Sequence, residues 1–220
     1  MDQSISLLKA DISANTPGNT LKDQALLASG RNFIGGDLYD YKVLSQNVPL
    51  AYCGICKLYP QIISKTSYTR EELGIPKWQG TPEENSLMVA AVLHFYGSTR
   101  VGYVPITENS KKVWLNPDLQ NRTVSWGDVE TPIANDGILA WKPGSLVLPN
   151  KCNTAITFTI PQSALCKYRN KALGRSAEYK AYADATILSS RLQTFLRVLG
   201  YEGVGAGCGA NNVGFGVLGG

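Results

Sequence analysis

Cys53-Gly54-Ile55-Cys56 has the spacing of a thiol redox pair or of half a metal site. A tetrahedral cation would need a second pair to complete its ligands. The remaining cysteines, Cys152, Cys166 and Cys208, are widely spread, so no second pair lies within reach in sequence. Two small residues half-buried in a turn satisfy the same pattern without any chemistry. An odd total of five cysteines also argues against the disulfide framework of a secreted domain. His94 is the single histidine, so neither a His-rich metal site nor a Ser–His–Asp triad has its parts. The third chemical feature is glycine. From Gly200 onward, nine of 21 residues are glycine, at 200, 203, 205, 207, 209, 214, 216, 219 and 220. That density permits positive φ and lets backbone approach a bulky ligand closely. Val204, Val213, Phe215, Val217 and Leu218 are interleaved with the glycines, which favours a ligand-lining or packed segment over a flexible tail.

These residues need elements to hold them. Residues 1–75 read as an irregular amino-terminal extension, with one short helix from Thr20 to Ala28 and then glycines and prolines that punctuate brief elements. Thr81-Pro82-Glu83-Glu84 is a helix start with three agreeing cues: a capping threonine, proline at the first helical position, and a glutamate that closes a capping box. Leu87, Met88, Ala91, Val92 and Phe95 then fall on one face at helical spacing, with His94 at its rim and Gly97 as the stop. Val101–Ile106 follows as a strand. Residues 107–149 read as loops and short strands, with Trp114, Trp126 and Trp141 as core and lid. Ile156, Phe158 and Ile160 alternate with Thr157 and Thr159, which makes a strand ended by Pro161. Ser176–Leu199 is the longest helix, with a stripe of Leu188, Leu192, Phe195, Leu196 and Leu199 and with Gly200 as its cap.

At 220 residues, 44% hydrophobic and 17% charged, the chain has the composition of a packed globular protein. Its net charge of +4 comes from scattered lysines and arginines, so nucleic acid is not an expected partner. No apolar run reaches the roughly 18 residues that a bilayer span requires, and the start shows neither a leader nor a twin-arginine pair. On these grounds alone the chain reads as soluble.

Three stretches together resemble one family, the corrinoid-containing respiratory reductive dehalogenases, with members that reduce chlorinated ethenes as the nearest likeness. The first is Pro76-Lys77-Trp78-Gln79-Gly80-Thr81-Pro82-Glu83-Glu84-Asn85, leading into Phe95-Tyr96-Gly97 and Val101-Gly102. The second is Val147-Leu148-Pro149-Asn150-Lys151-Cys152, followed by Thr157-Phe158-Thr159-Ile160-Pro161-Gln162. The third runs from Tyr182 through Phe195-Leu196-Arg197-Val198-Leu199-Gly200-Tyr201 into the glycine-rich segment.

The resemblance implies an α/β, nitroreductase-like fold, a mixed sheet flanked by helices and incomplete at its carboxyl side. Residues 76–220 would be the first part of a cobalamin-binding domain. It implies a cobalamin cofactor, two 4Fe–4S clusters whose cysteine ligands this chain does not contain, and an organohalide substrate. It also implies a membrane anchor protein and an electron donor as partners. The parent would sit at the outer face of the cytoplasmic membrane after twin-arginine export. The chain would accordingly begin after the leader and stop before the cluster cysteines. By the same resemblance Tyr182 matches the proton donor, and Gly205, Gly207, Gly209 and Asn211 fall in the cofactor-binding loop. An asparagine of that loop in the family aligns near Cys208, whereas this sequence has Asn211 and Asn212 a few residues later. Three other readings compete: a non-catalytic cobalamin-binding fragment, a flavin nitroreductase-like enzyme of the same fold class, and a different cobalamin and iron–sulfur reductase such as an epoxyqueuosine reductase; the Pro76–Asn85 segment argues against the last two.

Overall fold

The computed structural model describes residues 3–16, 20–23, 70–118, 121–135, 144–162, 164, 167, 172–205 and 210–220. Helices and sheets are mixed, as the expected α/β class requires. In chain order they are α1 (Gln3–Ser13), α2 (Arg70–Leu73), α3 (Pro82–Phe95), β1 (Val101–Pro105), α4 (Glu108–Lys111), β2 (Arg122–Gly127), β3 (Ile133–Asn135), β4 (Gly144–Pro149), β5 (Thr154–Phe158), α5 (Ala172–Leu199) and α6 (Asn212–Gly219).

The capping signals act as written in the sequence. The Thr81 hydroxyl accepts the Glu84 N–H at 3.1 Å while the Glu84 carboxylate accepts the Thr81 N–H at 2.8 Å. This box satisfies two backbone donors that the first turn of α3 leaves open. The exchange holds the Glu84 carboxyl below the ordinary range, chiefly through the Thr81 backbone donor. At the far end Gly97 takes φ +97°, its N–H reaching the His94 carbonyl and the Ser98 N–H reaching that of Leu93. Helix α5 ends the same way at Gly200, φ +93°, with bonds to Arg197 and Leu196.

Packing follows from these placements. The β1–β5 ribbon is antiparallel, with Val101 opposite Phe158 and Tyr103 opposite Ile156. Those four residues and Ile160 lie against Val89 and Leu93 of α3 and Leu188 and Leu192 of α5. The Tyr103 hydroxyl donates to the Ser86 carbonyl and ties ribbon to helix; burial pushes that phenol above its usual range. A second core joins Ile12, Leu21 and Leu73 to Val92, Phe195 and Leu199. The described strands of the other sheet run in the order β2-β4-β3, β4 parallel to β2 and antiparallel to β3. Leu146 and Leu148 of β4 and Val124 of β2 are buried there beneath Trp114, Trp126, Val204 and Ala210.

Several expectations need correction. Residues 3–13 form helix α1 where irregular chain was expected, and Ile12, Leu21 and Leu73 pack with Val92 of α3 and Phe195 and Leu199 of α5. Of the expected Thr20–Ala28 helix, Leu21–Asp23 is helical behind a Thr20–Asp23 capping exchange, and the remainder lies outside the described residues. The buried side of α3 is Val89, Val92 and Leu93, whereas Leu87 is 64% and Phe95 70% exposed. Apolar residues surround that helix on nearly all sides, so spacing alone does not select the buried face. Similarly, Val213, Val217 and Leu218 are exposed and only Phe215 of α6 is buried. The stripe expected on α5 is correct: Leu188, Leu192, Phe195 and Leu199 are buried, with Leu196 packed beside them. Trp141 lies outside the described residues.

At the start of β2, Arg122 and Asp118 form an ion pair with both side chains 1% exposed. The Asp118 carboxylate accepts the Arg122 guanidinium at 2.6 and 2.8 Å, and also the Arg122 backbone N–H at 2.9 Å. Removing one partner of a buried pair strands the other charge, at a cost of about 3–5 kcal/mol. Asp118→Ala should therefore lower unfolding stability in urea by about that amount. Glu108→Ala, which breaks an exposed pair with Lys111, should cost about 1 kcal/mol or less. Equal losses for the two substitutions would contradict this account.

Candidate functional site

The Pro76–Asn85 stretch folds as a clamp on the end of α5. The Trp78 N–H donates to the Leu199 carbonyl at 3.0 Å, and the Tyr201 hydroxyl returns a bond to the Trp78 carbonyl at 3.0 Å. The Trp78 indole N–H donates to Asn85 Oδ1 at 2.9 Å, and the Asn85 amide donates to the Gly80 carbonyl at 3.1 Å. A Cβ on Gly80 would lie 2.8 Å from Asn85 Oδ1 and 2.9 Å from Trp78 Nε1, so only glycine fits between them. Lys22 lies over the Trp78 ring at 4.0 Å and Lys77 over the Tyr201 ring at 3.8 Å. Every prominent residue of this stretch has a structural task, and together they fix where the glycine-rich segment departs.

That segment doubles back along α5. Gly203 is buried, and a Cβ there would meet Leu196 at 3.3 Å and Gln193 at 3.5 Å. Gly205 is also buried. Val204 and Ala210 then pack on the β2-β4-β3 sheet, and Ala210 bridges Trp114 through its backbone. Trp114 stands edge-on to Trp126 and to Phe215, with ring centres 5.1 and 4.8 Å away. Asn211 caps α6, its side-chain oxygen accepting the Gly214 N–H at 2.9 Å.

Tyr182 lies in α5, about 26 Å along the helix from Leu199 at 1.5 Å per residue and about 16 Å from Gln193, where Gly203 packs. Its side chain, with Gly207, Gly209, Cys53, Cys56, Cys166 and Cys208, lies outside the described residues. Of the candidate site residues, Gly205 and Asn211 are therefore seen directly: the first buried, the second exposed and engaged as a cap.

A polar group unforeseen from sequence forms around Cys152 in the β4–β5 connection. Burial raises the Cys152 thiol above its ordinary value; Glu202 raises it further, and Lys151 partly offsets both. Glu202 lies 3.9 Å from Arg197, while Lys151 pairs with Glu130, which draws the ammonium up and the carboxyl down. Cys152 and Glu202 are far apart in sequence, so no local spacing announces them. A thiol kept protonated is a poor nucleophile and a poor metal ligand. Among the described residues no three His, Cys, Asp or Glu side chains converge as a metal site, and no helix is long and apolar enough to cross a membrane.

No protein-family profile matches the chain. Two curated proteins are similar. The chloroethene reductive dehalogenase of Dehalococcoides mccartyi strain VS is 26% identical over 151 residues, which is 58% of this chain and 29% of that protein. The trichloroethene reductive dehalogenase of another strain of the species is 29% identical over 160 residues, 60% of this chain and 29% of that protein. The chain is thus distantly related to reductive dehalogenases and spans about 29% of the length of these curated relatives.

Because burial and Glu202 both hold Cys152 protonated, its alkylation, followed peptide by peptide in a mass spectrometer, should be slow near neutrality and accelerate as pH rises past the ordinary thiol value of 9.0. Glu202→Gln removes one upward influence and should speed the reaction at any fixed pH below that range. A rate equal to that of a free thiol at pH 7, unchanged by Glu202→Gln, would be the contrary result.

Proposed function

We propose, from this distant relationship to the reductive dehalogenases, that the chain forms part of an oxidoreductase that replaces a carbon–halogen bond of an organohalide by carbon–hydrogen. The carrying observation is the similarity over 58–60% of the chain to two enzymes named for chloroethene and trichloroethene. A chlorinated ethene is accordingly the proposed substrate class. The balanced conversion takes two electrons and one proton and releases halide.

The reading brings with it a corrinoid, which would supply low-potential electrons at cobalt, and two 4Fe–4S clusters in the whole protein. The described residues do not form a site for either group. Five cysteines cannot furnish the eight thiolates of two four-iron clusters. Gly203 has its side-chain space occupied by α5, and the Asn211 side-chain oxygen caps α6. Organohalide respiration, a membrane anchor protein, an electron donor, and a place at the outer face of the cytoplasmic membrane belong to the same proposal for the whole protein.

What this chain would contribute is the proton. Tyr182 is the proposed donor, supported by its match to the family position and by its place on α5, the helix against which the glycine-rich segment begins its return. A phenol serves as a general acid when neighbouring charge stabilises its phenolate.

Two measurements on the complete protein test the proposal. Acid extraction of the purified holoprotein should give corrinoid absorption bands; a flavin spectrum without them would overturn the cofactor assignment. Tyr182→Phe keeps the ring but removes the ionisable hydroxyl. Turnover should fall by about 10²–10⁴-fold with corrinoid content retained. Tyr179→Phe, one turn away on α5, should cost little. Equal small losses at both positions would remove Tyr182 from the reaction.

A further inference from the structure

The glycine-rich carboxyl segment touches parts of the molecule that are otherwise separate. Strands β1 and β5 form one sheet and β2, β4 and β3 the other, with no strand shared among the described residues. Val204, Ala210 and Phe215 lie with the aromatic and aliphatic cluster of the second sheet. Four positions beyond Phe215 along α6, Gly219 sits on the first. A Cβ on Gly102 of β1 would overlap the Gly219 carbonyl, and a Cβ on Gly219 would overlap Thr157 Oγ1 of β5. Gly214 also approaches Val113 closely, with 2.6 Å between its ideal Cβ position and Cγ1. At the other end a Cβ on Gly200 would lie 2.9 Å from Arg70 Nε and 3.0 Å from Lys77 Cγ.

We infer that the described parts of the segment from Gly200 to Gly219 form an internal joint locking the two sheets together, with Gly200, Gly203, Gly214 and Gly219 selected by close packing within the chain rather than by contact with a bound cofactor. Helix propensity supports this reading. Gly214, Gly216 and Gly219 fall within the eight residues of α6, Gly219 as its last, and a glycine inside a helix costs about 1 kcal/mol relative to alanine. A helix this short and this rich in glycine stands through its tertiary contacts. Those contacts require the missing side chains at Gly214 and Gly219. Gly216 differs, because a Cβ there meets nothing within 4 Å. It is the natural control.

The inference is independent of the proposed activity and is tested on the full chain without ligand. Gly219→Ala should lower the thermal midpoint by roughly 3–10 °C, the range expected when a tight contact is overfilled. Gly216→Ala should leave the midpoint unchanged or raise it. Thr157→Ala deletes Oγ1 and Cγ2, so Gly219→Ala in that background should lose most of its effect, a non-additivity that only a direct contact gives. The same variants are then titrated with cobalamin below their unfolding midpoints, where the dissociation constant should change less than twofold. A Gly219→Ala chain with an unchanged ligand-free midpoint would overturn the joint, whether or not cobalamin binding weakens. So would a loss that Thr157→Ala fails to relieve. Should the chain by itself bind no cobalamin, the ligand-free midpoints decide the joint, and the corrinoid of the complete protein is decided by the acid extraction described above.

Discussion

The hydrogen bond from the Trp78 N–H to the Leu199 carbonyl joins the two helices on which the rest of the molecule is assembled. A helix leaves its final carbonyls without intrahelical partners. At the end of α5 those groups are met by Gly200, Tyr201 and, from the other side, by the stretch that launches α3. Because the Trp78 indole is also held by Asn85, the first turn of α3 and the last turn of α5 keep a fixed relation. Leu93, Phe195 and Leu199 are then excluded from water, and the ribbon has a flat apolar surface to lie on. The departure of the chain at Gly200 follows from the same knot, and with it the course of the carboxyl segment.

Local signals in the sequence were sufficient where the physics is local. The capping box at Thr81, the stops at Gly97 and Gly200, the alternation through Ile156 and Phe158, and the stripe on α5 all involve residues within a few positions of one another. They failed where a decision depends on distant partners. The α3 face could not be chosen from spacing, because Leu87, Val89, Ala91, Val92, Leu93 and Phe95 offer apolar surface in several directions, and it is the ribbon and α5 that select Val89 and Leu93. Helix α1 has a weak pattern of its own and gains its burial at Ile12 from Leu73, Val92 and Phe195, far along the chain. Helix α6 violates propensity outright, and only contacts with residues more than sixty positions away in sequence account for it.

The same division governs the candidate site. Resemblance pointed to Tyr182 and to the glycine-rich stretch, and burial of Gly203 and Gly205 agrees with a packed segment rather than a loose tail. The stretch from Pro76 to Asn85, the longest matching motif, proves to consist of residues that hold one another: Gly80 between Trp78 and Asn85, Thr81 against Glu84. Its specificity in sequence reflects a demanding local geometry, in which side chains of the stretch are held by one another. Cys152 and Glu202 carried no legible signal, since their proximity exists only once β4 and the end of α5 are brought together.

The pairing of β1 with β5 has a topological meaning. Pro105 lies opposite Thr154, so residues 106–153, including α4 and β2, β3 and β4, are an excursion inside a single long hairpin. Closing so large a loop costs only roughly 2 kcal/mol more than closing a four-residue turn, because the entropy of closure grows with the logarithm of length. The helical pair and ribbon can therefore remain constant while the excursion lengthens, shortens or is remodelled. Divergence among distant relatives has room to accumulate there, as whole inserted units, without disturbing the frame that carries α5.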